Sequence, residues 1–213
     1  MTLIRPAPQS ETGHESGGYV KGIAIALVTQ NKDEEGLCRV KVSYPWHDKP
    51  RESYWARLAM PMAGTERGLV LIPEIGDEVL VAFEREDLRF PCVLGSVWNG
   101  KDKPPFNNND GKNDKRGLVS RKKHHLMFDD GSKGVVELAH HKGRKIFFDD
   151  DGFSVQDENG NSVKADSGSG AMTIEAKGKL SIKAASISIE ATGTLEVKAN
   201  ATLTIRGTLV NIN

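Results

Sequence analysis

The chain has 213 residues, and its 29 basic and 29 acidic side chains give a formal net charge of zero at pH 7. A neutral protein has no net field that attracts nucleic acid or an anionic membrane, so we expect no nucleic-acid partner. No stretch approaches the roughly 20 apolar residues of a membrane span. Cys38 and Cys92 are too few for a disulfide framework, although a single disulfide between them stays open.

The N-terminal segment, residues 1–18, contains no apolar run of the length that a signal peptide needs. We therefore expect a flexible N-terminal arm over this range. We also expect the protein to be assembled in the cytoplasm, without a signal peptide.

Residues 19–100 alternate short apolar runs with turn residues. Strands are predicted near residues 20–28, 37–43, 54–60, 78–83 and 92–98, and most of the prolines of this region lie between them, where a missing N–H does not break a ladder. Five strands in about 80 residues are typical of a small barrel.

Residues 101–122 begin with a polar stretch that contains Pro104-Pro105 and three successive asparagines, a composition that favours a linker. Short apolar runs follow, and they end in Asp-Gly or Asn-Gly pairs such as Asp151-Gly152 and Asn159-Gly160, which predict hairpins. Acidic residues at 149–151 and 157–158 faintly resemble calcium loops, but their spacing is not that of an EF-hand, and turn chemistry accounts for them.

A repeat of the form apolar, x, apolar, x, small fills the last third of the chain. Its units start 8, 7, 8, 8 and 7 residues apart, and the small residue is alanine or glycine. The apolar positions are Met172, Ile174, Leu180, Ile182, Ile187, Ile189, Leu195, Val197, Leu203 and Ile205, with Val210 and Ile212 in a final partial unit. A period of two within each unit belongs to strands.

One such ribbon offers a single narrow apolar row and cannot bury it alone. A single-chain solenoid needs roughly 20 or more residues per coil, whereas this repeat supplies one strand and one corner. Three chains around a common axis solve the problem, because each contributes one wall of a triangular prism. We expect a homotrimer whose core contains the ten apolar residues from Met172 to Ile205.

Several motifs of the barrel region resemble contractile-tail spike proteins, namely phage baseplate spikes and the VgrG proteins of type VI secretion. The resemblance rests on Pro45-Trp46, on Trp55-Ala56-Arg57-Leu58-Ala59, on the run from Ile72 to Phe83 with its Pro-Glu-Ile-Gly-Asp-Glu-Val, and on Pro91 to Trp98. It extends through Leu126-Met127-Phe128-Asp129-Asp130 and the repeat.

The resemblance implies an all-β chain with an N-terminal oligonucleotide/oligosaccharide-binding (OB) barrel, followed by a triple-stranded β-helix over residues 123–213. It also implies a spike mounted on a trimeric baseplate hub and driven through a target cell envelope when a sheath contracts. Only the short arm precedes the barrel, so we expect the short form, without a hub or lysozyme domain. The class of contractile system and any effector cargo stay open.

Some related phage spikes end in a histidine-rich motif that binds iron, whereas no histidine follows His141 here. We therefore expect a blunt end, Val210, Asn211, Ile212 and Asn213, that binds a PAAR-type tip protein. Trp46 and Trp55 are assigned to core packing or to the hub interface. A nucleic-acid stacking platform is the less favoured alternative for these aromatics.

Adjacent histidines at 124–125 and 140–141 could form a metal-binding ring in a trimer, but strand alternation would turn only one of each pair inward, and we predict neither a metal nor a cofactor. No motif implies catalysis, so we expect no enzyme. The competing function is a trimeric β-helical fibre that binds a receptor or a polysaccharide. Such a fibre would need an aromatic carbohydrate site, and no aromatic residue follows Phe153.

Overall fold

The computed structural model describes residues 20–47 and 51–212, so the expected arm at 1–18 and the expected tip residue Asn213 lie outside the described part. The chain divides after residue 107 into two compact units, which we describe separately. Apart from a 3-10 turn at Glu84–Glu86, the described residues form only strands, turns and irregular segments. None of them forms a helix long and apolar enough to cross a bilayer. The expected all-β fold is confirmed.

The first unit contains a five-stranded sheet and a small hairpin. Its strands are β1 Ile23–Gln30, β2 Lys41–Ser43, β3 Arg57–Leu58, β4 Ala63–Gly64, β5 Arg67–Gly68, β6 Glu78–Phe83 and β7 Pro91–Ser96. The sheet order is β2-β1-β6-β7-β3, and β4 pairs with β5 alone. All neighbours in the large sheet are antiparallel except β3 and β7.

The two outer strands of this sheet approach each other. The backbone N–H of Val40 donates to the carbonyl of Ala56 at 3.0 Å, and the N–H of Ala56 donates back to Val40 at 2.7 Å. Because Val40 precedes β2 and Ala56 precedes β3, these bonds join the first and last strands, and the sheet curls into a barrel. Closure of this kind satisfies edge groups that would otherwise be unpaired.

Alternation along the strands fills the barrel. Ala26 and Val28 of β1 and Val79 and Val81 of β6 are buried, together with Val40, Val42, Tyr44, Ala56, Phe83 and Val93. Small β-branched residues dominate this core because they fit a half-buried pleated surface. Burial of Tyr44, which packs against Trp46 and Phe83 at centroid distances of 5.4 and 5.7 Å, raises its pKa to about 12.

The second unit is an antiparallel sheet of seven short strands that pair in chain order, which we call the meander sheet. Its strands are β8 Lys115–Val119, β9 His125–Asp129, β10 Val135–Ala139, β11 Lys145–Asp149, β12 Gly152–Gln156, β13 Ser162–Asp166 and β14 Met172–Glu175. The hairpins expected at the Asp-Gly and Asn-Gly pairs are present. Strand β8 lies within residues 101–122, the range expected for the linker.

Residues 176–212, which we call the tail, differ from the meander sheet. None of them lies in a strand. Among the described residues, 178–212 form no backbone–backbone hydrogen bond within the chain. Their N–H and C=O groups have no backbone partner within one copy of the chain.

Candidate functional site

Two rows of apolar side chains cross one face of the meander sheet. The strand registers place them directly opposite one another on neighbouring strands. The first row is Leu118, Leu126, Leu138, Ile146, Val155, Val163 and Ile174, and the second is Phe128, Val136, Phe148, Phe153, Ala165 and Met172. Cross-strand apolar pairs of this kind are the unit of sheet stabilisation.

This apolar face is uncovered within one chain. Leu138 is 52% exposed and Phe148 is 48% exposed, although both lie in the middle of the sheet. Soluble monomers rarely expose an apolar patch of this extent, so such a face marks an interaction surface. Met172 and Ile174, the first predicted core residues of the repeat, end the two rows.

The remaining predicted core residues lie in the tail, and they are exposed as well. Leu180, Ile182, Ile187, Leu195, Val197, Leu203 and Ile205 are all more than half exposed, and Ile189 reaches 71%. The fold of one chain therefore brings Met172 and Ile174 into a common face with other strands. It places none of the eight core residues of the tail in a strand, although Leu180 lines a cavity with Ile174 and Val163 of the first row.

The opposite face of the meander sheet, which we call the polar face, combines apolar side chains such as Met127 and Phe147 with a self-paired polar network. Glu137 lies between His125 and Lys145, with oxygen–nitrogen distances of 2.7 and 3.2 Å. Partial burial alone would raise the pKa of Glu137, but hydrogen bonds from His125 and Lys145 outweigh it and lower that pKa. Lys145 also lies 4.8 Å from the ring centre of Phe147. This network needs no second chain.

The hairpin turns alternate between the two ends of the sheet. The turns Ser120–His124, His140–Arg144 and Asp157–Asn161 share one end and one geometry, because in each the first residue donates its N–H to the carbonyl of the fifth. The fourth residue has a positive φ in all three, at Lys123, Gly143 and Gly160. The Asp149 and Asp157 carboxylates accept backbone N–H groups within their own turns, the turn chemistry expected for them.

The histidines of the two adjacent pairs, 124–125 and 140–141, lie in two different surroundings. His125 lies on the polar face with Glu137, whereas His124 meets both His140 and His141 at centroid distances of 4.5 and 4.8 Å. The prediction that one member of each pair turns inward in a trimer stays a prediction, but His140 and His141 both lie beside His124 within one chain. These two lie at a turn, where strand alternation does not hold.

The two tryptophans assigned to the hub interface have different surroundings. Trp46 is 39% exposed and packs on Tyr44, whereas Trp55 is partly buried beneath Arg39 and Lys41. Both cations also pair with carboxylates, Arg39 with Asp33 at 2.8 Å and Lys41 with Glu52 at 2.9 Å. The charge that a nucleic-acid platform would need is thus neutralised locally.

Two surfaces escaped prediction from the sequence. Ile23, Ile25 and Leu27 point outward from β1, and Ile23 is 59% exposed. Every residue of β1 from Ile23 to Val28 is apolar, so hydrophobicity alone does not identify the buried face. The smaller residues, Ala26 and Val28, are buried, and the larger ones are exposed. The three-histidine cluster was also not predicted, because it depends on the contact between two turns.

Two of the predicted tip residues lie at the end of the tail. Val210 and Ile212 are both exposed there.

Comparison with known proteins places the barrel in a family. Residues 24–98 match the family described as the type VI secretion system/phage-baseplate injector OB domain. This stretch runs from the second residue of β1 to just beyond β7. It contains all five strands of the curled sheet.

Relatives from two organisms are about one third identical to the chain. They include the actin cross-linking toxin VgrG1 of Vibrio cholerae, 34% identical over 95 residues, and the type VI secretion system spike protein VgrG1c of Pseudomonas aeruginosa, 34% identical over 111 residues. The spike protein VgrG2a of Pseudomonas aeruginosa is 35% identical over 110 residues. These matches cover 41%, 48% and 48% of this chain but only 9%, 15% and 12% of the relatives.

The chain therefore spans a small part of the length of these relatives, and the toxin activity named for one of them is not carried over. The OB-domain match, the spike relatives and the almost purely β fold agree with one another. Residues 24–98 of this chain therefore belong to the type VI secretion system/phage-baseplate injector OB domain family, and the chain is similar to VgrG spike proteins.

Proposed function

We propose that three copies of this chain form the central spike of a contractile injection apparatus, such as a phage tail, a tailocin or a type VI-like secretion system. The observation that carries the proposal is the tail, whose apolar side chains and backbone both lack partners in one chain. Similarity of the barrel to that of VgrG spike proteins supports this role for the tail.

The meander sheet supplies one wall of the proposed trimer. Its apolar rows would face a common axis, and its self-paired polar face would face water. Full burial of a large apolar side chain contributes roughly 1.5–3 kcal/mol, and the rows repeat this gain on every strand. A prism over the meander sheet and the tail follows, which extends the proposed β-helix of residues 123–213 back to Leu118.

In the tail each chain would pair with the other two instead of with itself. Each unit of the repeat gives one strand and one corner, and alanine or glycine at the third inward position fits the corner. Interchain ladders would satisfy the tail's backbone groups, since exposed strand edges are otherwise an aggregation hazard.

Charges at the two ends of the meander sheet favour a cyclic arrangement. The turns 120–124, 140–144 and 157–161 carry five basic and two acidic residues, whereas the opposite turns, 129–135, 149–152 and 166–171, carry six acidic and one basic. In a threefold ring, one end of each wall meets the other end of the next. Although Asp129, Asp130 and Asp151 already pair with Lys115, Arg116 and Lys133, the acidic end of one wall would meet the basic end of the next, which favours this order of walls.

The remaining assignments follow the family role. Residues 19–100 would form the OB barrel that sits on a trimeric hub protein, with Trp46 and Trp55 facing the hub, and residues 101–122 would join it to the needle. Val210, Asn211, Ile212 and Asn213 would bind a PAAR-type tip protein. The spike would act mechanically, without catalysis or a cofactor, would carry any effector on its partners, and would be delivered from the cytoplasm into the target envelope.

Molar mass in solution tests the trimer. By light scattering, the full chain should have three times the single-chain mass of 23.2 kDa. A chain that ends at Ala176 keeps the meander sheet and loses the tail, and its trimer should dissociate on dilution. A full chain that is monomeric at tens of micromolar would contradict the proposal.

Pulldown then tests the two mountings. Trp46→Ala should weaken capture of the hub protein but not of the tip protein, and Ile212→Asp should do the reverse. If Ile212→Asp retains the tip protein at wild-type affinity, the assignment of the tip surface is wrong.

A further inference from the structure

Three imidazoles from two adjacent hairpin turns converge at one end of the meander sheet. His124 comes from the turn before β9, and His140 and His141 come from the turn after β10. One potential ligand nitrogen from each lies within 4.8 Å of the others, and the ring centroids are 4.3 to 4.8 Å apart. This is the only such group of three metal-ligating side chains among the described residues.

The backbone explains why the rings meet. His125 pairs with Ala139, and the next positions outward on β9 and β10 are His124 and His140, so the ladder places these two side by side. His141 follows in the turn and reaches the same point. Because all three residues belong to one chain, the cluster does not depend on the proposed trimer.

Nearby charges leave the cluster accessible to a cation. Arg144 of the same turn forms an ion pair with Glu158 at 2.6 Å, so its charge is already compensated.

The present hydrogen bonds of the rings are weak enough to be exchanged. The Nδ1 atoms of His124 and His140 accept backbone N–H groups of His141 and Lys142 at 3.4 and 3.2 Å, longer than the usual 2.9–3.0 Å. Tetrahedral coordination with zinc–nitrogen bonds of 2.0–2.1 Å requires ligand nitrogens about 3.3 Å apart. The side chains must therefore close inward by rotation, which partly exposed turns permit.

The geometry points to a site for a divalent transition-metal ion, zinc in the first instance, bound by His124, His140 and His141 with water in a fourth position. Imidazole suits Zn²⁺, Cu²⁺ and Ni²⁺, whereas Mg²⁺ and Ca²⁺ prefer oxygen ligands. Lys122 and Lys142 in the same turns oppose the ion's charge, so we expect moderate affinity. The bound ion would tie the β8–β9 turn to the β10–β11 turn.

Equilibrium dialysis of the untagged full chain against Zn²⁺, with Co²⁺ absorption as a probe of coordination geometry, tests the site. The wild type should bind one ion per chain, and Zn²⁺ should raise its Tm. His124→Gln and His140→Gln should each weaken binding at least about tenfold, because even loss of a residue that merely orients a ligand costs 10- to 100-fold.

His125→Gln is the matched control, since His125 adjoins His124 in sequence but lies on the other face with Glu137. It should bind Zn²⁺ as the wild type does. Circular dichroism of each variant establishes that the sheet is retained. Unchanged binding by the double variant His124→Gln/His140→Gln would overturn the proposal, as would a wild type that takes up no Zn²⁺ at tens of micromolar. Either result would leave the trimer proposal intact, because molar mass tests that separately.

Discussion

The meander sheet and the tail carry the same alternation of apolar and polar residues, but they solve different parts of the folding problem within one chain. Strands β8 to β14 pair with one another through six hairpins, so the backbone of the inner strands β9 to β13 is satisfied, while the apolar face lacks cover. Residues 178–212 have neither backbone pairing nor cover. The meander sheet needs a partner for packing, whereas the tail needs one to have secondary structure at all.

The turns account for this difference. Strands β8 to β13 each end in a segment that reverses the chain, such as His140–Arg144 with Gly143 at a positive φ. The tail has corners such as Lys177-Gly178-Lys179 and Thr192-Gly193-Thr194, which form no hairpin. A strand that cannot fold back on its own chain must find its neighbour on another chain.

A charge placed in the tail's apolar row should have the largest effect on the stability of the proposed trimer. Ile189→Asp places a carboxylate at a position that the proposed trimer buries in three copies, and an uncompensated buried charge costs about 3–5 kcal/mol. We expect the trimer to dissociate at micromolar concentration, as measured by light scattering.

Ser188→Asp is the control, because it adds the same charge one residue away, on the opposite side of the strand. It should leave the mass unchanged. Equal dissociation of the two variants would mean that the tail has no apolar inner face, and the comparison with the meander sheet would fail.

Hydrogen exchange should reveal a smaller, regional difference, in the amide protection of the meander sheet and of the tail. In the trimer, amides of both regions should be protected, since both would lie in ladders. In dissociated Ile189→Asp protein, amides of β9 to β12 should stay protected by their intrachain bonds, and those of 178–212 should exchange at nearly the rate of an unfolded chain. Protection of the tail in a monomer would contradict interchain pairing.

Much of this contrast could be predicted from the sequence. The period of two within each unit and the spacing of 7 to 8 residues between units predict the tail's core positions, which stay a prediction for the trimer. The barrel strands were located to within a few residues, since prolines and glycines punctuate them. Strand β8 was read as part of a linker, because its apolar residues, Leu118 and Val119, are few and follow a polar, asparagine-rich segment.

The histidine cluster shows what sequence patterns cannot convey. His124 and His140 are well separated along the chain, and they meet only because the β9–β10 register pairs His125 with Ala139. Strand alternation was applied to His140 and His141, but a turn begins there. Register and turn boundaries are set by tertiary pairing, so the cluster needed the structure.

The smallest expected effect is a difference in pH dependence between a polar side chain of the meander sheet, Glu137, and one of the tail, Glu196. The pKa of Glu137 lies below its usual value of about 4.3, so the ionised carboxylate stabilises the fold above that pH, and this contribution is lost as the pH falls through the lowered folded-state value. By urea unfolding at each pH, Glu137→Gln should cost about 0.5–1 kcal/mol at pH 7, and the cost should vanish once the pH lies below the lowered pKa of Glu137. Glu196→Gln in the tail is the control, since Glu196 and its partner Lys198 are both more than 60% exposed, and it should change stability little at any pH. If the two substitutions have the same pH dependence, the polar face of the meander sheet is no more self-sufficient than that of the tail.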